Sequence, residues 1–376
     1  MTIEERDTLD LFRAAERIAQ DSVAPKSATW ERERRIGWEA LRGAAGEGLT
    51  GIQVPVSKGG LGRPFSIKAG VLEILAREDF GFAMSLANTH NAAEKLAREA
   101  PPHIVSEYVP GLLAAESLGC TALTESGAGS DVGAMRTTAT KAGQGWRLYG
   151  EKTWITNAAE AGVIVLYAQT EQGRGTGGIA SFLVDARRPG FFRDPPIVLP
   201  GQHSTGSGGF RLDGYEARSE EMLAPPGEAF KGAMADINGA RTYVAAMCCG
   251  MVDKALRVCT EYGRVRKTFG KPLNERQGWR WYLADASIDL SAARLLVGQA
   301  SSRIDSGLDA QVDAAKAKIF ATRMGERHIP ALLQAMGAEG LREKYPLSRH
   351  LMGARIAGYV DGSTEMLLER VSSFLK

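Results

Sequence analysis

The sequence predicts an α+β chain in three parts: an N-terminal helical domain (1–117), a middle β domain (118–225), and a C-terminal helical bundle (226–376). Three observations predict it. Apolar residues recur at helical spacing before residue 115. Glycine, β-branched residues and short apolar runs rise between about 118 and 225. Helical periodicity then returns behind Pro225 and Pro226.

Each element follows from its own pattern. In the first part Leu9, Phe12 and Ile18 recur at roughly helical spacing, and IKAGVLEILAREDFG mixes strong helix formers with apolar residues near i, i+3, i+4 and i+7. VPVSKGGLGRP (54–64) is a Gly/Pro-rich break between helices. In the middle part GVIVLYAQ (162–169) and IASFLVDA (179–186) have strand length. KAGQG, EQGRGTGG and GQHSTGSGG bound such runs as turns, so a small barrel or sandwich is expected. In the last part INGARTYVAAMCCGMVDKALRVCTEYGRVRKTFG reads as one helix running to about residue 268. Two more follow, WYLADASIDLSAARLLVGQASSRI and AQVDAAKAKIFATRMGERHIPALLQAMG, and Pro330 should kink the second.

Composition narrows the function. Of 376 residues, 44% are hydrophobic and 24% charged, as in ordinary globular proteins. A net charge of +2 gives no reason to expect a nucleic-acid or membrane-surface partner. No apolar run approaches the ~20 residues of a membrane span. The start, MTIEERDTLDLFRAAERIAQ, lacks the pattern of a secretory signal. Cys120, Cys248, Cys249 and Cys259 form no CxxC pair and read as buried free thiols, which suggests a cytoplasmic location. The five histidines, His90, His103, His203, His328 and His350, have no metal-ligand spacing, so no metal is expected.

Five stretches suggest chemistry. In ALTESGAGSDVGAMRTTA (122–139) the glycines allow close backbone approach to a ligand, and successive N–H groups can cradle phosphate oxygens. Taken alone, such a loop is more often a simple turn. It is neither a P-loop nor the GxGxxG turn of a βαβ unit. In GEKTWITNA (150–158) Trp154 and Thr156 would share one face of a strand, where they can stack on a planar ring and hydrogen-bond to it. The plainer reading makes Trp154 a core residue. In YGRVRKTFGKPLNERQ (262–277) Arg266, Thr268, Phe269 and Gln277 gather where the long helix stops at Gly270 and Pro272. Arginine there suits a pyrophosphate, or simply the helix dipole. QAMGAEG (334–340) is a glycine-bearing helix end, and YVDGSTEMLLER (359–370) is the fifth.

In this order and spacing the five stretches, over nearly the whole chain, resemble the acyl-CoA dehydrogenase family. The resemblance implies that family's fold, with a four-helix bundle as the last part, and FAD bound between the β domain and the C-terminal helices. Leu123, Thr124, Gly129 and Ser130 match residues lining the flavin and its phosphates. Trp154 matches the residue flanking the isoalloxazine, and Thr156 the one bonding near N5. Arg266, Thr268, Phe269, Gln277, Gln334 and Gly337 match residues reaching a neighbouring subunit's FAD, which requires a homodimer or homotetramer. Ser363 and Glu365 match the last contacts near the cofactor. Ser130, Asn238 and Arg241 match substrate contacts, with Asn238 replacing a frequent aspartate. Ser126 replaces a usual proline and should loosen its turn slightly.

The implied activity is α,β-dehydrogenation of an acyl thioester, carried by coenzyme A or an acyl carrier protein, with electron-transferring flavoprotein as the usual acceptor. A carboxylate takes the α-proton, and its pKa must rise toward the operating pH. The family commonly places a glutamate where this chain has Asp361, and the alternative glutamate site, just before Arg241, is Ala240. Asp361 is therefore the candidate base, one C–C bond (about 1.5 Å) shorter in reach. Two other readings stay open. Nitroalkane oxidase-like relatives also use aspartate here, but carry an arginine where this chain has Leu368, the nearest being Arg370. The third reading is a flavin-binding scaffold without chemistry. Acyl selectivity is expected from side chains between Glu73 and His90 and on the helix after Arg241.

Overall fold

A computed structural model describes residues 3–171 and 173–375. Six helices form the first part: α1 (Ile3–Arg17), α2 (Ser27–Glu33), α3 (Trp38–Gly46), α4 (Phe65–Ala76), α5 (Phe80–Glu99) and α6 (Pro102–Leu113). The 54–64 stretch is the break the sequence predicts, holding only a short 3-10 turn. Asp79 caps α5 by accepting from the Phe82 N–H at 2.8 Å.

Eight strands follow: β1 (Gly119–Ala122), β2 (Thr138–Ala142), β3 (Gly145–Ile155), β4 (Val163–Gln169), β5 (Ile179–Asp185), β6 (Phe191–Arg193), β7 (Gly208–Ala217) and β8 (Met222–Ala224). They make one sheet in the order β6-β7-β3-β2-β4-β5-β8, with β1 beside β4 in parallel. Strands β4 and β5 are buried at every position, and alternate residues enter different cores. Val163, Val165, Tyr167, Ile179 and Leu183 pack with the apolar residues of α5 and α6. Ile164, Leu166, Ala180 and Phe182 join the main core with β3 and β7. Burial on both faces explains why these strands read as continuous apolar runs rather than alternating ones.

The last part holds α7 (Ala229–Val265), α8 (Gln277–Asp305), α9 (Gln311–Met336), α10 (Leu347–Ala357) and α11 (Thr364–Ser373). Helices α7 to α10 pack as a bundle, and α11 lies on α9. Helix α9 runs through Pro330 as one helix. Helix α7 packs on α4 so closely that a Cβ at Gly250 would overlap the Glu73 carbonyl. None of the described helices is long and apolar enough to cross a membrane.

Two expectations need correction. The long helix stops at Val265 rather than near 268. Residues beyond it form a two-strand hairpin, β9 (Lys267–Thr268) with β10 (Lys271–Pro272). Phe269 (φ 48°) and Gly270 (φ 79°) both adopt the left-handed region, the signature of a type I′ hairpin turn. Trp154 and Thr156 do not share one face of a strand either, since β3 ends at Ile155; Trp154 stands 61% exposed, against the plainer core reading. Its φ of 60° and the register shift between Lys152 and Ile155 break the two-residue repeat just before β3 ends. Ile155 still turns inward while Thr156, past the strand end, stays partly exposed.

Candidate functional site

Asp361 lies in the corner between α10 and α11 with φ 55°, a conformation aspartate tolerates better than most residues. Two cations hold the corner by its backbone. The Lys318 ammonium of α9 donates to the carbonyls of Val360 and Gly362, the latter at 2.6 Å. Arg241 Nε of α7 donates to the Asp361 carbonyl at 2.9 Å. Three successive carbonyls are thus fixed, and the carboxyl is left free of hydrogen bonds from the described residues. Ser363 caps α11, its hydroxyl accepting from the Met366 N–H at 3.4 Å, and Glu365 is exposed in the first turn.

The electrostatics oppose one another. Burial raises the Asp361 carboxyl above the ordinary aspartate range, and the charges of Lys318 and Arg241 pull it back only in part. Burial pushes the Lys318 amine down to about 8, against the Asp361 charge. Burial likewise lowers Arg241. Asn238 Oδ1 accepts from Arg241 Nη1 at 3.0 Å, so Asn238 and Arg241 form one unit. Ala240 is buried and supplies no carboxylate.

The glycine-rich loop is built from a buried ion pair that joins the first two motifs. Lys152 Nζ on β3 donates to Glu125 Oε1 at 2.8 Å and to the Leu123 carbonyl at 2.9 Å. Glu125 also accepts from the N–H groups of Arg136 and Thr137. Burial alone would raise Glu125; Lys152 and these donors hold it below the usual value. The Thr153 N–H donates to the Thr124 carbonyl at 3.1 Å, tying the loop to the strand that presents Trp154. The Ser126 hydroxyl donates to Glu151 Oε1 at 2.5 Å. Beyond it the N–H groups of Gly129, Ser130 and Asp131 donate to no acceptor among the described residues. Free N–H groups in this loop and an exposed indole on the strand tied to it fit a phosphate-bearing planar cofactor such as FAD.

A third group forms at one end of the bundle. The Phe269 ring tips the hairpin, 97% exposed, with the Arg276 guanidinium 5.7 Å from its centroid. Arg276 donates to the Thr268 carbonyl at 2.5 Å. Trp279 Nε1 donates to the Ala335 carbonyl at 3.1 Å, bringing Gln277 at the start of α8 near Gln334 and Gly337 at the end of α9. Arg266, Gln277, Gln334 and Gly337 are all exposed. Among the described residues, no hydrogen bond or ion pair links this group to the glycine-rich loop or to Trp154 within one chain. The structure thus assembles the Asp361 corner and the loop, and leaves the hairpin group facing outward.

Sequence reasoning missed Lys318, Lys152 and Glu125. The one legible sign was a lysine on the apolar face of its helix, as at Lys318 between Ala317 and Ile319, all three buried.

Comparisons with known proteins agree with this layout. Family models describing the N-terminal, middle and C-terminal domains of acyl-CoA dehydrogenase match residues 5–116, 120–214 and 227–376. The short-chain specific acyl-CoA dehydrogenase of Megasphaera elsdenii is 30% identical over 367 residues, 96% of this chain and 95% of its own. The butyryl-CoA dehydrogenase structure from Megasphaera elsdenii superposes with a TM-score of 0.94 at 29% identity, covering 100% of this chain and 98% of that one. PigA, solved with FAD and proline, has a TM-score of 0.92 at 23% identity over 100% of this chain and 98% of its own, a likeness of fold. With three domain matches in the order of its helical, sheet and helical parts, and a relative aligned over nearly all of both chains, the protein belongs to the acyl-CoA dehydrogenase family.

Proposed function

We propose that the protein catalyses FAD-dependent α,β-dehydrogenation of an acyl thioester, with Asp361 as the general base. The observation that supports this is the Asp361 corner: a carboxyl raised by burial, without a hydrogen bond among the described residues, on a backbone pinned by Lys318 and Arg241. A base held in place needs no reorganisation during proton transfer, and a raised pKa strengthens it at neutral pH.

Leu123, Thr124, Gly129, Ser130, Trp154, Thr156, Ser363 and Glu365 would hold FAD within the chain. Arg266, Thr268, Phe269, Gln277, Gln334 and Gly337 would complete the site of a neighbouring subunit, which makes a homodimer or homotetramer the working form. When bound, FAD supplies the acceptor for the electrons leaving the acyl group. Asp361 takes the α-proton. The free N–H groups at 129–131 orient the cofactor, Trp154 shields one face of the site from water, and Arg241 with Asn238 and Ser130 steers the carrier end. Coenzyme A and the phosphopantetheine arm of an acyl carrier protein present the same thioester. Electron-transferring flavoprotein is the proposed partner for reoxidation.

An anaerobic titration of the FAD-loaded protein tests the reading. Acyl-CoA thioesters, an acyl-carrier-protein thioester and nitroethane are added in turn while the visible absorbance of oxidised flavin is followed. A thioester is expected to bleach it. Asp361→Asn should retain FAD and lose about 10²–10⁴-fold in reduction rate. Undiminished reduction by that variant, or bleaching by nitroethane alone, would remove the assignment.

A further inference from the structure

Around Tyr243 of α7 the structure contains a polar cluster that the proposed reaction leaves unused. Lys68 of α4 is 4% exposed. Its ammonium donates to Asn91 Oδ1 of α5 at 2.6 Å and to Gln53 Oε1 at 3.1 Å, both neutral amides. Tyr243 of α7, two residues after Arg241, places its ring centroid 5.3 Å from Lys68 Nζ and accepts from Asn91 Nδ2 at 3.0 Å. Among the described residues no carboxylate comes within 4.0 Å of the Lys68 amine. The acids that influence it are engaged elsewhere, Glu94 with Arg98 at 2.6 Å and Asp236 with Lys95 at 3.0 Å.

A second buried group is unsatisfied in the same cluster. His90 is fully buried, and its Nε2 accepts the Gln53 backbone N–H at 3.0 Å. The ring proton is therefore on Nδ1, which makes no hydrogen bond of good geometry among the described residues, with the Asn91 amide as its nearest polar neighbour. A buried cation without a counter-ion and a buried donor without a well-placed acceptor would both be served by an anionic oxygen. Their position is informative. Tyr243 faces Lys68 and lies close enough to Asp361 for that carboxylate to raise the phenol's pKa beyond what burial does. Tyr243 is thus the one side chain here that contacts Lys68 and also feels the Asp361 charge, so it is the point that an acyl chain running from Asp361 toward the cluster would have to pass.

We propose that Lys68, with Asn91 and His90, forms a subsite for a carboxylate at the far end of the acyl group, making the substrate the monothioester of a dicarboxylic acid. This rests on the thioester dehydrogenase reading above. An amino-bearing acyl group is disfavoured, because its ammonium would meet Lys68.

The test uses the FAD-loaded protein and pairs of thioesters matched in carbon number: succinyl with butyryl, glutaryl with pentanoyl, adipyl with hexanoyl, each on coenzyme A and on pantetheine, plus a prolyl thioester. Flavin reduction is measured at limiting substrate. At least one carboxylated probe should exceed its uncharged partner by about tenfold to a hundredfold, the range for a buried charge-assisted hydrogen bond. Lys68→Met should bring that ratio toward one, and Lys68→Arg should retain most of it. Thioether analogues, read by calorimetry, should show the same discrimination without turnover. The subsite is overturned if uncharged or prolyl probes match or exceed the carboxylated ones at every length, or if Lys68→Met keeps the preference. Absence of both reduction and binding with every probe would instead refute the dehydrogenase reading itself, and the subsite with it.

Discussion

Lys318 shows how a side chain that need not touch substrate can govern a base. It is 1% exposed, its amine lies among backbone carbonyls, and its charge is one of the two that lower Asp361. The sign of its removal follows. Burial raises the carboxyl, Lys318 opposes this, and so Lys318→Met should raise the carboxyl further. Reduction of bound flavin requires the ionised base, so its rate rises with pH through the apparent pKa of Asp361. In the native protein that limb should lie above the ~3.9 of free aspartate. In Lys318→Met it should move further up, measured by stopped-flow reduction across pH. A rate loss without a shift would mean that Lys318 only braces the corner.

The β9–β10 hairpin makes a prediction as an element. A two-residue turn with both φ values positive projects Phe269 away from its own chain, where it contributes little to that chain's core. If the ring reaches the flavin of a neighbour, Phe269→Ala should leave the melting temperature of the FAD-free protein unchanged and weaken FAD retention about tenfold. Spectra taken after gel filtration at low concentration would check this. An equal loss of apoprotein stability would place the ring in a structural role instead. The end of β3 is fixed differently, by Asn157. This residue is fully buried with φ 66° and donates from Nδ2 to the carbonyls of Ser85 and Gly119, both at 2.9 Å. It locks the strand that carries Trp154 to α5 and β1.

At the scale of the whole molecule, α8 has two apolar faces. Trp279, Ala286, Leu290 and Ala293 are buried in the bundle. On the outer side Trp281, Ile288 and Leu295 repeat every seven residues and stand exposed. Such a stripe suits a helix from another copy of the chain, the assembly that the outward hairpin also calls for. Leu295→Glu with Ile288→Glu should lower the mass seen by sedimentation velocity and reduce FAD occupancy together. Retention of the assembly would mean that the copies meet through another face.

The sequence by itself determined the order of the parts and the places of β4 and β5, because each is a local property of periodicity, and it offered Asp361 as the candidate base from a short motif. It also showed Asp361 without a glutamate to replace it. It misread the end of α7 and the shared strand face of Trp154 and Thr156, since positive φ at Phe269 and Trp154 is imposed by turn and bulge geometry that residue type barely signals. Tertiary structure alone decided which distant groups meet. Lys318 lies some forty positions before the corner it clamps, and Lys68, Asn91 and Tyr243 come from three helices. Their chemistry arises from desolvation and from the lack of a counter-ion. Both depend on what packs around a side chain, and neither is written in the run of residues beside it.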